Sequence, residues 1–171
     1  LKRKRLTLEE YRAVTSYANV KIRARMLHLY AEADRRSLAV AGTTNRTEYL
    51  LGDFCKYGDA GCDFEPLAHL YKTQVYQLAE YLGIPEEVRK RPPTTDTYSL
   101  AQGQDEFYFS LPYREMDLCL YGKNHGVDPA TVATAIGLTA DQAQKVYDDI
   151  DTKRATTRYL HLKPLLMEEV P

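Results

Sequence analysis

The stretch "SLAVAGTTNRTEYLLGDFCKYGDAGCDF", residues 37–64, decides how the rest of the chain is read. It opens on a short apolar run, Leu38 to Ala41, and breaks at Gly42. A dense polar segment follows, with Thr43, Thr44, Asn45, Arg46, Thr47 and Glu48, and then a short helical pattern over 45–54. Upstream, residues 7–36 read as one long helix. Thr7 and Glu10 have capping-box spacing, and Ile22, Met26, Leu29 and Ala33 fall on one helix face. A short apolar run between two helices reads as one buried strand of a βα unit. The expected fold class is therefore α/β, a parallel sheet with flanking helices, with a strand at residues 38–42.

Downstream, the pattern is helical. "YKTQVYQLAEYLG" (71–83) is amphipathic and closes on Gly83. "PYREMDLCLYG" (112–122) carries Pro112 at its start and Gly122 at its end. "DPATVATAIG" (128–137) and "TADQAQKVYDDI" (139–150) are capped by Asp128 and Thr139. Residues 91–107 are aperiodic and rich in Pro, Thr, Gly and Gln, so they read as a loop. This makes six or seven helices to one convincing strand. A lone buried strand has no backbone partners. The expectation is thus that the sheet is completed by residues beyond these 171 or by another chain, with residues 1–171 forming part of a single domain.

Composition narrows the class. The chain has 44% apolar and 27% charged residues and a net charge of -1. No global field draws it to nucleic acid or to an anionic membrane, and no apolar run reaches the roughly 20 residues of a membrane span. The basic run Lys2 to Arg5 is short and reads as a solvated flank. No signal-peptide pattern opens the chain. Three cysteines, Cys55, Cys62 and Cys119, have neither disulfide nor zinc spacing, which suits reduced thiols in a cytoplasm. The four histidines are too far apart in sequence to suggest a metal cluster.

Ligands of open parallel sheets bind beyond the carboxyl ends of the strands. Thr43 to Glu48 occupy that position. Threonine hydroxyls at a helix N-terminus suit phosphate or ribose, and a carboxylate beside them suits Mg²⁺ bridging phosphates. A plain helix cap followed by a solvated loop would leave the same spacing.

The wider pattern separates these readings. "NVKIRARM", "GTTNRTEYLLGDFCKYGDAGCDFEPL", "LYKTQVYQLAEYLGIPEE", "RPPTTD", "DEFYFSLPYREMD" and "DTKR" occur in this order between Asn19 and Arg154. Together they closely resemble the ammonia-dependent NAD synthetases, of the ATP pyrophosphatase group with a Rossmann-like sheet. The resemblance implies ATP-dependent adenylation of the nicotinate carboxylate of deamido-NAD, with Mg²⁺ and release of pyrophosphate, followed by displacement of AMP by ammonia. It implies ATP contacts at Thr43, Lys72 and Thr94. Deamido-NAD contacts are implied at Arg23, Lys56, Asp63 and Lys153, and a Mg²⁺ ligand at Glu48. Lys72 and Glu48 would stabilise the charge of adenylation. A cytoplasmic homodimer is implied as well, its interface carried by the face of Ile22, Met26 and Leu29.

Two departures qualify this. The family's Ser-Gly-Gly-x-Asp-Ser loop, which cradles pyrophosphate, has no counterpart here, and Thr152 stands where many members have His before Lys153. The first suggests the C-terminal part of a longer synthetase, inactive alone. The alternatives are a non-catalytic interaction subunit derived from a synthetase, or another ligase of the same group.

Overall fold

A computed structural model describes residues 6–94, 103, 108–109 and 111–168. Seven α-helices and a short 3-10 turn make up most of them: α1 (Leu8–Arg36), α2 (Arg46–Leu51), α3 (Lys72–Tyr81), α4 (Glu86–Arg89), α5 (Tyr113–Asn124), α6 (Pro129–Ile136), α7 (Ala140–Thr157) and the turn Arg158–His161.

Thr7, Asp128 and Thr139 act as caps, as the sequence predicts, and the structure adds a cap at Asn45. The Thr7 side chain accepts from the Glu10 N–H while Glu10 reaches back to the Thr7 N–H, starting α1. Asn45 and Glu48 form the same reciprocal pair at α2, and Thr139 and Gln142 at α7. Asp128 caps α6 with Pro129 in its first turn. Three helix ends differ from expectation: α2 stops at Leu51 and does not reach residue 54. α5 runs through Gly122 to Asn124, and α7 continues from Ile150 to Thr157. Gly122 is a packing residue, not a stop: a Cβ there would lie 2.6 Å from both the Tyr147 hydroxyl and Val132 Cγ2. The backbone of α5 can therefore approach α6 and α7 closely.

The core lies where α5, α6 and α7 meet. Met116, Cys119 and Leu120 form one stripe of α5 and are fully buried. They meet Val132 of α6 and Tyr147 and Ile150 of α7, with Leu51 of α2 and Phe109 closing the cluster. Each large apolar side chain so buried contributes about 1.5–3 kcal/mol.

Residues 38–42 are extended, but only part of the expected strand is seen. Ala41 makes a single parallel bridge with Phe64, with the Gly42 N–H donating to the Phe64 carbonyl at 2.7 Å. Val40 is buried, whereas Leu38 is 60% exposed. The expected burial of the whole run is therefore corrected to Val40 and Gly42. With one bridge partner, only the inward residues of the pleat find cover. Among the described residues no further strand joins it. Thr94 and Gly103 make an antiparallel bridge, while most of the expected loop 91–107, and the basic run Lys2 to Arg5, lie outside the described residues.

α1 is the outlying element. Only Ala18 and Ala33 of its 29 residues are buried. Its Ile22 and Met26 pack on the 55–61 loop, where a Cβ on Gly58 would lie 2.7 Å from Ile22 and one on Gly61 3.0 Å from Met26. No helix among the described residues is long and apolar enough to cross a membrane.

Candidate active site

A cavity of about 660 Å³ opens between α1, the end of the extended run at Val40 to Thr43, and the 52–62 loop. Arg23, Thr43, Lys56 and Thr94, four of the residues assigned from the sequence, line it. Arg23 donates from Nε to the Lys56 carbonyl at 3.3 Å, joining α1 to the loop. Lys56 donates from Nζ to the carbonyls of Tyr159 and Leu162, at 3.1 and 2.6 Å. Its ammonium thus ties the 3-10 turn to the cavity wall, so a ligand contact would exchange with these bonds. Thr43 is exposed to the cavity, and the adjacent Thr44 and Asn45 are buried.

Asp63 stands beside this cavity, held within the chain. One oxygen accepts from the Val40 N–H at 2.7 Å and the other from the Tyr30 hydroxyl at 3.2 Å. Lys153, on α7, pairs with Asp149 and lies 5.0 Å over the Tyr108 ring. Glu48 and Lys72 are brought together from separate helices. Burial raises the Glu48 carboxyl above its usual range, opposed by hydrogen bonds from Asn45 and by the positive charge of Lys72. The Lys72 ammonium lies 5.4 Å from the Tyr113 ring and 5.7 Å from the Tyr76 ring. A cation at the start of a helix opposes its dipole; here aromatic faces and the Glu48 carboxylate offset that.

Two aspartates were missed by the sequence reading. Asp53 lines the cavity, and its buried Oδ2 has no hydrogen-bond partner. Burial, with Glu48 and Asp59 nearby, pushes its carboxyl up to about 7, against the pull of Lys153. Its only sequence signal was an acid directly after the helix-ending Gly52. Asp117, in the middle of α5, is 5% exposed and accepts from Thr47 and Thr73. Nothing in its helical spacing marked it.

Among the described residues no three His, Cys, Asp or Glu side chains converge as a metal cage. Mg²⁺ is ordinarily held by one or two carboxylates together with substrate phosphates and water. A desolvated Glu48 beside a cationic Lys72 fits that limited protein share.

The sequence model of the NAD synthase family matches residues 3–158. The NH(3)-dependent NAD(+) synthetase of Mesorhizobium japonicum is 57% identical over 166 residues, covering 97% of this chain and 52% of that protein. Among solved structures, an NMN synthetase from Francisella tularensis superposes with a TM-score of 0.69 at 25% identity, over 90% of this chain and 56% of that one. An NAD+ synthetase from Burkholderia pseudomallei does so with a TM-score of 0.52 at 35% identity, over 81% and 47%. The chain spans about half the length of the curated relatives it matches. Family model, sequence relatives and superposed α/β structures agree, and the chain belongs to the NAD synthase family.

Proposed function

We propose that this chain serves the ATP-dependent amidation of deamido-NAD by ammonia. The observation that carries the reading is the convergence of Arg23, Thr43, Lys56 and Thr94 on one cavity within a chain 57% identical to a synthetase of that activity. In the first step the nicotinate carboxylate attacks the α-phosphorus of ATP, and the bond to pyrophosphate breaks. In the second, ammonia attacks the acyl carbon, the bond to AMP breaks, and the nitrogen loses a proton.

Within this scheme Thr43 and Thr94 contact ATP, and Arg23, Lys56, Asp63 and Lys153 contact deamido-NAD. Glu48 holds Mg²⁺, which when bound neutralises phosphate charge. Lys72 stabilises the charge gathering on the α-phosphate and the departing pyrophosphate. Positioning supplies much of the remaining acceleration, because the carboxylate must lie in line with the α-phosphorus.

The extended run 38–42 belongs, in this reading, to a Rossmann-like parallel sheet within a single domain. The protein works in the cytoplasm as a homodimer. α1 supports the dimer: Val14, Tyr17, Val20 and Leu27 are exposed apolar residues on it, at 39–68% exposure. Of the expected interface residues, Ile22 and Met26 pack on the chain's own loop and Leu29 is 57% exposed, so we place the interface on the exposed side of α1. Sedimentation of wild type and Val20→Asp tests this, with a shift from dimer to monomer expected.

The activity is tested in the full-length protein with ATP, Mg²⁺ and ammonium, measuring AMP and pyrophosphate release with deamido-NAD or the corresponding mononucleotide. The likeness to an NMN synthetase makes the mononucleotide the relevant competitor. Preference for the dinucleotide is expected. Preference for the mononucleotide would favour the other ligase reading, and absence of turnover with both would favour an interaction subunit.

A further inference from the structure

Glu48 and Lys72 lie on different helices, so something must set their separation. We propose that Asp117 is the positioning residue that does so, by clamping the first turns of α2 and α3 to α5. The inference rests on the role just given to Glu48 and Lys72 in adenylation.

Asp117 sits between the core residues Met116 and Leu120 and is 5% exposed. A buried carboxylate is strongly disfavoured unless its oxygens are well bonded. Here Oδ1 accepts from the Thr47 hydroxyl at 2.5 Å. Oδ2 accepts from the Thr73 N–H at 2.9 Å and from its hydroxyl at 2.8 Å. The Thr47 hydroxyl oxygen in turn accepts from the Lys72 N–H at 3.1 Å. A continuous chain of hydrogen bonds therefore runs from the backbone of Lys72 through Thr47 to Asp117.

The partners are the immediate neighbours of the proposed reacting pair. Thr47 precedes Glu48, and Thr73 follows Lys72. The first N–H groups of any helix lack acceptors within it. The residue before α3, Tyr71, gives no side-chain cap to them. Thr47 and Asp117 supply those acceptors from two other helices. A local Ser or Asp could have capped α3 equally well. Capping from α2 and α5 does something a local cap does not: it makes the position of Lys72 depend on that of Thr47, and hence of Glu48. Tyr113, one turn before Asp117 on α5, places its ring 5.4 Å from the Lys72 ammonium, at the far end of the residue whose backbone N–H Thr47 holds.

The test uses the full-length protein and three variants. Thr47→Val keeps the shape and deletes the hydroxyl, Asp117→Asn keeps the shape and deletes the charge, and Thr47→Ser keeps the hydroxyl. All are compared with Glu48→Gln and Lys72→Met, well below each variant's melting temperature. Readouts are kcat, the KM of each substrate, and calorimetric affinity for MgATP without deamido-NAD. Thr47→Val and Asp117→Asn should lower kcat on the order of 10–100-fold, as expected for misplaced reacting groups. They should also weaken MgATP binding while leaving the KM for deamido-NAD unchanged, and Thr47→Ser should restore both. Folded Thr47→Val and Asp117→Asn with wild-type kcat and MgATP affinity would overturn the proposal while Glu48→Gln and Lys72→Met remain defective. So would equal loss in Thr47→Ser, or a matching rise in the KM for deamido-NAD, either of which marks a merely structural role. If Asp117→Asn does not fold, the Thr47 pair decides alone. Wild-type rates and MgATP affinity in Glu48→Gln and Lys72→Met would overturn the underlying reading of the site and this inference with it.

Discussion

Val40 and Asp63 hold each other at both ends of the same contact. The Asp63 carboxylate accepts from the Val40 N–H at 2.7 Å, and the Asp63 N–H donates to the Val40 carbonyl at 2.9 Å. Val40 is a buried residue of the extended run. The acid assigned to deamido-NAD thus also anchors the cavity wall. Asp63→Ala should leave the Val40 N–H without its acceptor and destabilise the protein by about 1–3 kcal/mol, read as a lower urea midpoint. Asp63→Asn keeps an acceptor oxygen. Its main effect should be a raised KM for deamido-NAD with little change for ATP; an unchanged KM would remove Asp63 from the substrate contacts.

Glu48 and Lys72 should act on rate more than on binding of deamido-NAD. Each would strengthen its interaction as charge develops in adenylation, so Glu48→Gln and Lys72→Met should each lower kcat on the order of 10²–10³. Steady-state kinetics with ATP and deamido-NAD varied separately would show this. Near-wild-type rates for both would show that the pair does not carry the chemistry.

Asp53 should make stability depend on pH. Its carboxyl titrates near 3.8 when freely hydrated and is pushed up to about 7 in the fold, chiefly by burial. Below pH 4 it is protonated in both states and contributes nothing. Between about 4 and 7 the folded protein retains a proton that the unfolded chain has released, so stability falls as pH rises. The full loss is present above 7. Asp53→Asn should therefore raise stability at pH 8 by an amount on the order of a few kcal/mol, read as a higher melting temperature, with a much smaller change at pH 4.5. Thermal melts in chelator-containing buffer at the two pH values would check the sign; an equal shift at both would refute it.

Gly52 ends α2 at φ +72°, and a Cβ there would lie 2.3 Å from Thr157 Cβ. Both conditions exclude a side chain. Gly52→Ala should destabilise by about 1–3 kcal/mol, and calorimetry should show a lower melting temperature. A neutral effect would contradict the close approach of Gly52 to Thr157.

Local order was written in the sequence. Thr7 with Glu10, and Thr139 at the head of α7, fix helix starts through bonds that span three residues, so spacing alone predicts them. The motif order between Asn19 and Arg154 likewise carried the family resemblance, because it preserves residue types and not coordinates. The limits of α5 and α7 were not legible. Gly122 reads locally as a stop, but close packing against Val132 and Tyr147 makes its missing side chain an asset inside the helix. Nor did spacing show that Asp63 bonds Val40, that Lys56 holds the Tyr159 and Leu162 carbonyls, or that Asp117 joins Thr47 to Thr73 across 70 and 44 positions. Such contacts depend on which helix faces meet. Burial then decides the chemistry: the same aspartate side chain is a clamp at 117, where three donors reach it, and at 53 a carboxyl whose inner oxygen no donor reaches.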